Sequence, residues 1–288
     1  MQSVVVAVIP SYRPEPTALS ALVDTLIDAS LPVLVADDAS PCTFDRALDE
    51  AAAHGAALVR HSTNAGIARS LNAGLSFARE VGATWLLSVD QDSVLPADYV
   101  ARLRQGADEA VARMGEHAVG AVAAGSIDDA SGSLGYPSRE VSGLPVTEEV
   151  IQTGTLWSVA AVDAVGGFDE RLGIDGVDAA ACVRLRAAGR RIVLVPGLSV
   201  GHRVGDGRQV SLLGRTVLAS GHGPERRTTI VRNRLRLAPE EFRQSPVHAF
   251  RTLRRVAVST LLAVTVEDDR WAKAKASARG ALPQRDER

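Results

Sequence analysis

The most chemically pointed stretch of the chain is Asp90-Gln91-Asp92-Ser93, directly after the apolar run Trp85-Leu-Leu-Ser-Val89. Two carboxylates two residues apart can reach one ligand from a single turn, and hard oxygen donors of this kind bind Mg²⁺ or Mn²⁺. A second pair, Asp37-Asp38, follows the run Val33-Leu-Val-Ala36, and Ser11-Tyr12 follows Val4-Val-Val-Ala-Val-Ile9. Asp and Ser also favour turns and helix caps, which would explain one such cluster. Clusters after three successive apolar runs, two of them with paired carboxylates, point instead to a divalent cation holding a phosphorylated ligand.

Other chemistries are excluded by what is missing. The only two lysines, Lys273 and Lys275, do not follow a glycine, so a Walker A phosphate loop is absent. The turn Pro10-Ser-Tyr-Arg-Pro-Glu-Pro16 has no glycine and cannot be an ordinary dinucleotide fingerprint. Neither a G-x-S-x-G nucleophile elbow nor an H-E-x-x-H zinc pair occurs. With two cysteines, Cys42 and Cys182, a disulfide framework or Cys-rich zinc site is ruled out.

The elements that must position these residues follow an alternating pattern. Strand-length apolar runs over 4–9, 33–36, 57–60 and 85–89 alternate with helical periodicity over the residues around Leu19–Ile27, over 43–54 and over 67–81. This rhythm predicts a parallel sheet covered on both faces, and in such sheets the strand ends form the ligand crevice. After Val119–Gly125 the alternation stops. Residues 128–147, rich in Gly, Ser and Pro, read as an irregular or hairpin excursion. A strand over 150–159, a helix over 178–188 and a strand over 191–196 follow, and the chain is mostly helical from about Pro224.

Length and composition agree with this. At 288 residues, 46% hydrophobic and 23% charged, the chain is neither disordered nor fibrous and can bury a large core. Its formal charge of −2 hides twelve arginines against four carboxylates between Arg203 and Arg255. Phe250, Leu253, Ala257, Leu261 and Val264 recur at helical spacing beside Arg251, Arg254 and Arg255. Such a helix suits an anionic membrane surface, and equally suits packing on the catalytic domain or a second subunit in a homo-oligomer. No signal peptide is read at the start, and the run Val256–Val266 is too short to span a bilayer, so the expected location is cytoplasmic or peripheral on the inner face of the cell membrane.

The motifs Pro10-Ser-Tyr12, Asp37-Asp38-Ala-Ser40, Asn64-Ala-Gly-Ile-Ala-Arg-Ser-Leu-Asn-Ala-Gly74 and Asp90-Gln-Asp-Ser93 stand in the order seen in family-2 glycosyltransferases, which the chain resembles. Gly166-Gly-Phe-Asp-Glu170, Ile174-Asp-Gly-Val-Asp178, Arg184–Gly189 and Gly201-His202 continue the match. The Asp-Gln-Asp-Ser form, with Arg232-Asn233, is most similar to bacterial dTDP-rhamnosyltransferases. The resemblance implies an α/β GT-A fold: a mostly parallel central sheet flanked by helices, with a helical C-terminal extension. It implies a catalytic domain over 1–223, with a nucleotide-sugar half to about 126 and an acceptor half over 127–223, and an extension over 224–288.

The resemblance also implies roles. Pro10, Ser11 and Tyr12 would line the base, Asp38 would bond the pyrimidine, and Arg69 would lie near the nucleotide. Asp90 would touch the ribose or the metal shell, while Asp92 and His202 would hold Mg²⁺ or Mn²⁺. Asp178 would deprotonate the acceptor, with Asp175 in reserve, because Ala180 replaces an acid that relatives usually carry. Thr153 and Trp157 are candidate acceptor contacts, and Trp157 suits the core equally. The activity implied is inverting transfer of L-rhamnose from dTDP-L-rhamnose to a glycan or lipid-linked acceptor in cell-surface polysaccharide synthesis. Galactofuranosyl, glucosyl or N-acetylglucosaminyl transfer from a UDP-sugar, and non-catalytic nucleotide-sugar binding, stand as alternatives.

Overall fold

The computed structural model describes residues 4–129, 132–201, 208–212, 215–219 and 221–282. They fall into two compact units, one from Met1–Gly173 with Val177–His202, the other from Ile174–Gly176 with Arg203–Arg288.

The first unit opens with β1 (Val5–Ser11), α1 (Pro16–Asp28), β2 (Val33–Asp37), α2 (Asp45–Ala53), β3 (Ala57–Arg60), α3 (Ile67–Glu80) and β4 (Trp85–Ser88). All residues of β1, β2 and β4 are buried, as continuous apolar runs in a parallel sheet must be. The four strands pair in parallel in the order β3-β2-β1-β4, with β3 on the exposed edge. Leu19, Leu22, Val23 and Leu26 on one face of α1 pack into the same core as Val5, Ala7 and Ile9. Helix α1 starts sharply because the Glu15 carboxylate accepts the N–H groups of Thr17 and Ala18 and Pro16 pre-sets the first turn.

Helix α4 (Tyr99–Met114), for which the sequence reading assigned no element, leads to β5 (Val119–Asp129). The excursion over 128–147 is a set of hairpins: β6 (Gly132–Gly135) returns along β5, and β7 (Ser138–Val141) pairs with β8 (Leu144–Thr147). The strand expected over 150–159 shortens to β9 (Thr155–Ser158), with α5 (Val159–Ala164), α6 (Val177–Ala187) and β10 (Arg191–Gly201) after it. Strand β9 lies antiparallel between β4 and β5, while β5 and β10 run parallel. The ten-stranded sheet is therefore mixed, with order β3-β2-β1-β4-β9-β5-β10-β8-β7 and β6 beside β5.

In the second unit, β11 (Arg208–Leu212) and β12 (Arg215–Ala219) form a two-stranded sheet. Helices α7 (Pro224–Gln244), α8 (Pro246–Thr265) and α9 (Arg270–Ala281) pack on one another. Inside it, Arg227 donates to the hydroxyl and carbonyl of Ser259, and buried Lys273 pairs with buried Glu267 at 2.9 Å. No helix among the described residues is long and apolar enough to cross a membrane.

Candidate active site

The polar residues expected at the strand ends are brought together in the first unit, and uncharged side chains hold them there. Beyond β4, the Ser93 N–H donates to the Asp90 carbonyl at 3.0 Å, closing Asp90–Ser93 into a turn. Asp92 is exposed and Asp90 half-buried. Gln91, between them, points back to β1: its Oε1 accepts the Tyr12 N–H at 2.9 Å and the Ser11 hydroxyl at 3.0 Å, and its Nε2 donates to the Tyr12 carbonyl at 3.0 Å. The amide thus pairs with Tyr12 as a neighbouring strand would and fixes the Ser11-Tyr12 loop against the carboxylate turn.

The segment Gln152-Thr153-Gly154 supports that turn from below. Gln152 Nε2 donates to Asp90 Oδ1. Thr153 Oγ1 accepts the Asp90 N–H at 2.9 Å and bonds the Ser93 hydroxyl at 2.8 Å. Gly154 donates to the Ser88 carbonyl at 2.8 Å, and its own carbonyl accepts the buried Tyr99 hydroxyl at 2.6 Å. Its φ of +71° and the Tyr99 oxygen beside its α-carbon both require glycine. Thr153 and Trp157 are not exposed for an acceptor. Thr153 is 2% exposed and bound to the turn, and Trp157 is fully buried. The Trp157 indole donates to Ser88 Oγ at 2.8 Å and stacks edge-on to Phe168, so of its two expected placements the structure has the core one.

Asp38, at the end of β2, receives the N–H groups of Ala65 and Gly66, each at 2.8 Å, so its carboxylate anchors the loop that enters α3. Gly66 has φ +94° and lies against the Gly173 backbone, leaving no room for a side chain. On α3, Asn72 donates to the Phe168 carbonyl and accepts the Phe168 N–H at 2.8 Å, tying the Asn64–Gly74 motif to Gly166–Glu170. Arg69 donates to Thr63 at 3.3 Å. Two neighbours went unnoticed in the sequence: Arg13, whose guanidinium lies 4.9 Å from the Tyr12 ring centre, and His61, half-buried after β3. Burial holds the His61 imidazole below its ordinary pKa, with the Arg69 charge acting in the same direction.

Asp178 sits half-buried in the first turn of α6, its Oδ1 accepting the Ala179 N–H at 2.8 Å. Burial, chiefly, raises the pKa of the Tyr136 phenol, and the Asp178 charge adds to this. Ala180 is 1% exposed and packs in the core. His202 lies outside the described residues. The residue before it, Gly201, exchanges two 3.2 Å backbone hydrogen bonds with Val94, two positions past Asp92.

Asp175 has a different setting, within the second unit. Its φ is +63°, and its carboxylate pairs with Arg226 at 3.0 Å to Nη2 and 3.1 Å to Nε. Buried Asn233 donates to the carbonyls of Ile174 and Asp175 at 3.0 and 2.7 Å, and Arg232 Nε donates to Asn233 Oδ1. The Arg232-Asn233 pair therefore shapes the Ile174–Gly176 loop.

The donor set of the Asp90–Ser93 turn fits a hard divalent cation: two carboxylates two residues apart, one exposed and the other oriented by an amide.

Comparison with known proteins bears on the fold and the family. The family model described as Glycosyl transferase family 2 matches residues 6–122. The dTDP-rhamnosyl transferase RfbF of Shigella flexneri is 28% identical over 276 residues, covering 91% of this chain and 87% of RfbF. The mannosyltransferase PcManGT from Pyrobaculum calidifontis, solved with GDP-Man and Mn²⁺, superimposes with TM-score 0.58 at 17% identity, covering 97% of this chain and 74% of that one. S. aureus TarS 1-349, solved with UDP-GlcNAc, gives TM-score 0.56 at 16% identity, covering 95% and 79%. The chain has the GT-A fold, matches the family-2 glycosyltransferases over residues 6–122, and resembles the bacterial dTDP-rhamnosyltransferases.

Proposed function

We propose that this glycosyltransferase transfers L-rhamnose from dTDP-L-rhamnose, with inversion, to a glycan or lipid-linked sugar in cell-surface polysaccharide synthesis. The observation that carries the donor is the likeness to RfbF, 28% over nearly the whole chain, against 16–17% for the neighbours solved with GDP-Man and UDP-GlcNAc. On this reading Pro10, Ser11, Tyr12, Asp38 and Arg69 bind the nucleotide, and Asp90 orients the ribose or the metal shell. Asp92 and His202 would hold Mg²⁺ or Mn²⁺. Such an ion neutralises charge on the departing diphosphate without proton transfer.

The chain's own residues do the rest. Gln91 keeps the base loop and the carboxylate turn in fixed register, and Gln152 and Thr153 keep the turn from shifting. Asp178 takes the proton from the acceptor hydroxyl as its oxygen bonds to the anomeric carbon. The bond from that carbon to the diphosphate breaks on the opposite face, so a β-linked donor gives an α-rhamnoside. Asp175, already ion-paired with Arg226, shapes the loop rather than acting as base. We place the enzyme in the cytoplasm, peripheral on the inner membrane face where its acceptor is lipid-linked.

The test is calorimetric titration of dTDP, dTDP-L-rhamnose, UDP, UDP-GlcNAc and GDP-mannose, each with and without Mg²⁺ or Mn²⁺. Metal-dependent preference for the dTDP pair is expected. Preference for a UDP ligand would transfer the mechanism to that donor and overturn the rhamnosyl assignment.

A further inference from the structure

Helix α8 leaves one face uncovered within the unit that contains it. Its buried residues, Ala249, Thr252, Leu262 and Ala263, face the other helices. Four of its apolar residues are exposed: Val247 62%, Phe250 64%, Val258 47% and Leu261 56%. With 3.6 residues per turn these four fall in one sector, running about 20 Å along the helix axis. Arg254 lies within that sector, with Arg251 and Arg255 along one edge, all three exposed. The twenty residues of α8 include no Asp or Glu. Just beyond it Trp271 is 83% exposed, whereas Trp85 and Trp157 are buried. Helix α9 also lacks carboxylates, and its Arg270, Lys275 and Arg279 are exposed.

We infer that the exposed face of α8 is a docking surface for an anionic lipid bilayer, with α8 lying in the plane of the interface. The chemistry is complementary in both respects. Phe250, Val258 and Leu261 enter the boundary between headgroups and acyl chains, while the arginines extend to the phosphates. An exposed Trp near a cationic helix suits the same boundary. A second copy is a poorer occupant, because a two-fold contact through this face would set Arg251, Arg254 and Arg255 against their own counterparts with no carboxylate on α8 to offset them. The inference concerns where the enzyme sits and does not depend on its donor.

The 288-residue chain is sedimented with vesicles of phosphatidylcholine alone and of phosphatidylcholine with phosphatidylglycerol, at low and high salt. Binding to the anionic vesicles only, weakened by salt, is expected. The triple variant Arg251→Gln, Arg254→Gln, Arg255→Gln should weaken it by at least about 10-fold, and Phe250→Ser with Leu261→Ser should do the same. Both variants change exposed side chains and should keep wild-type thermal midpoints and dTDP titration curves, so lost docking separates from lost folding and from a wrong donor. No binding to either vesicle, or equal binding to both, would overturn the inference. So would a wild-type dimer in sedimentation velocity that the Phe250/Leu261 variant abolishes, which would give the face to a second copy.

Discussion

Two carboxylates of this enzyme, Asp38 and Asp175, are equally well fixed and held in opposite ways. Asp38 is gripped by two backbone N–H groups, and the loops around it are joined by the uncharged side chains of Gln91, Thr153 and Asn72. Asp175 is held by a guanidinium, and its loop by Asn233 and Arg232. A carboxylate ordered by neutral donors keeps its full negative charge for a ligand, whereas one in a forked Arg pair is neutralised where it stands. On the proposed function, the contrast separates a region that receives cation and nucleotide from one whose charges maintain a loop.

The sharpest way to break the comparison is Asp92→Ala, which should abolish metal-dependent donor binding in calorimetry and transfer with it. Donor affinity unchanged with and without metal would mean the turn does not hold the ion. Asp178→Asn should leave donor binding near wild type while lowering transfer by about 10²-fold or more. Near-normal transfer by that variant would place the base elsewhere.

Gln91→Leu removes the amide that joins Tyr12 to the carboxylate turn. It should weaken donor binding by roughly 10-fold and lower stability by about 1–3 kcal/mol, read by titration and chemical unfolding. Asp175→Asn should cost at most about 1 kcal/mol, because Arg226 is 44% exposed, and should leave transfer almost unchanged. A collapse of transfer there would move Asp175 into the first group.

The smallest effect is in pH. Burial lowers the pKa of His61 and of His222 from the ordinary 6.5, so the unfolded chain takes up protons that the folded chain resists. Stability should fall as pH drops through about that value, and His61→Gln should flatten part of the slope in thermal midpoints.

Much of the first unit was legible because its signals are local. Strands β1, β2 and β4 begin and end within two residues of their expected bounds, since buried parallel strands are uninterrupted apolar runs, and β3 and α3 match theirs as closely. The antiparallel insertion of β9 was not legible, because the four residues Thr155–Ser158 carry no signal of direction. Nor was the role of Gln91 or Gln152: their partners lie 79 and 62 residues away, and nothing in a glutamine's neighbours announces such a partner. As acceptor contacts Thr153 and Trp157 were not resolvable from sequence, because only the fold shows Thr153 bonded to the Asp90 turn and Trp157 buried against Ser88. Arg232-Asn233 was visible as a motif, but its work on the Ile174–Gly176 loop appears only once α7 is folded.

On the proposed function the Asp90–Ser93 turn holds metal and nucleotide together. Anomalous diffraction from a crystal grown with Mn²⁺ and dTDP tests it most directly. The account predicts an anomalous peak within coordination distance of an Asp92 carboxylate oxygen and touching the diphosphate. A bound nucleotide whose diphosphate carries no such peak, or Mn²⁺ at other residues, would contradict it.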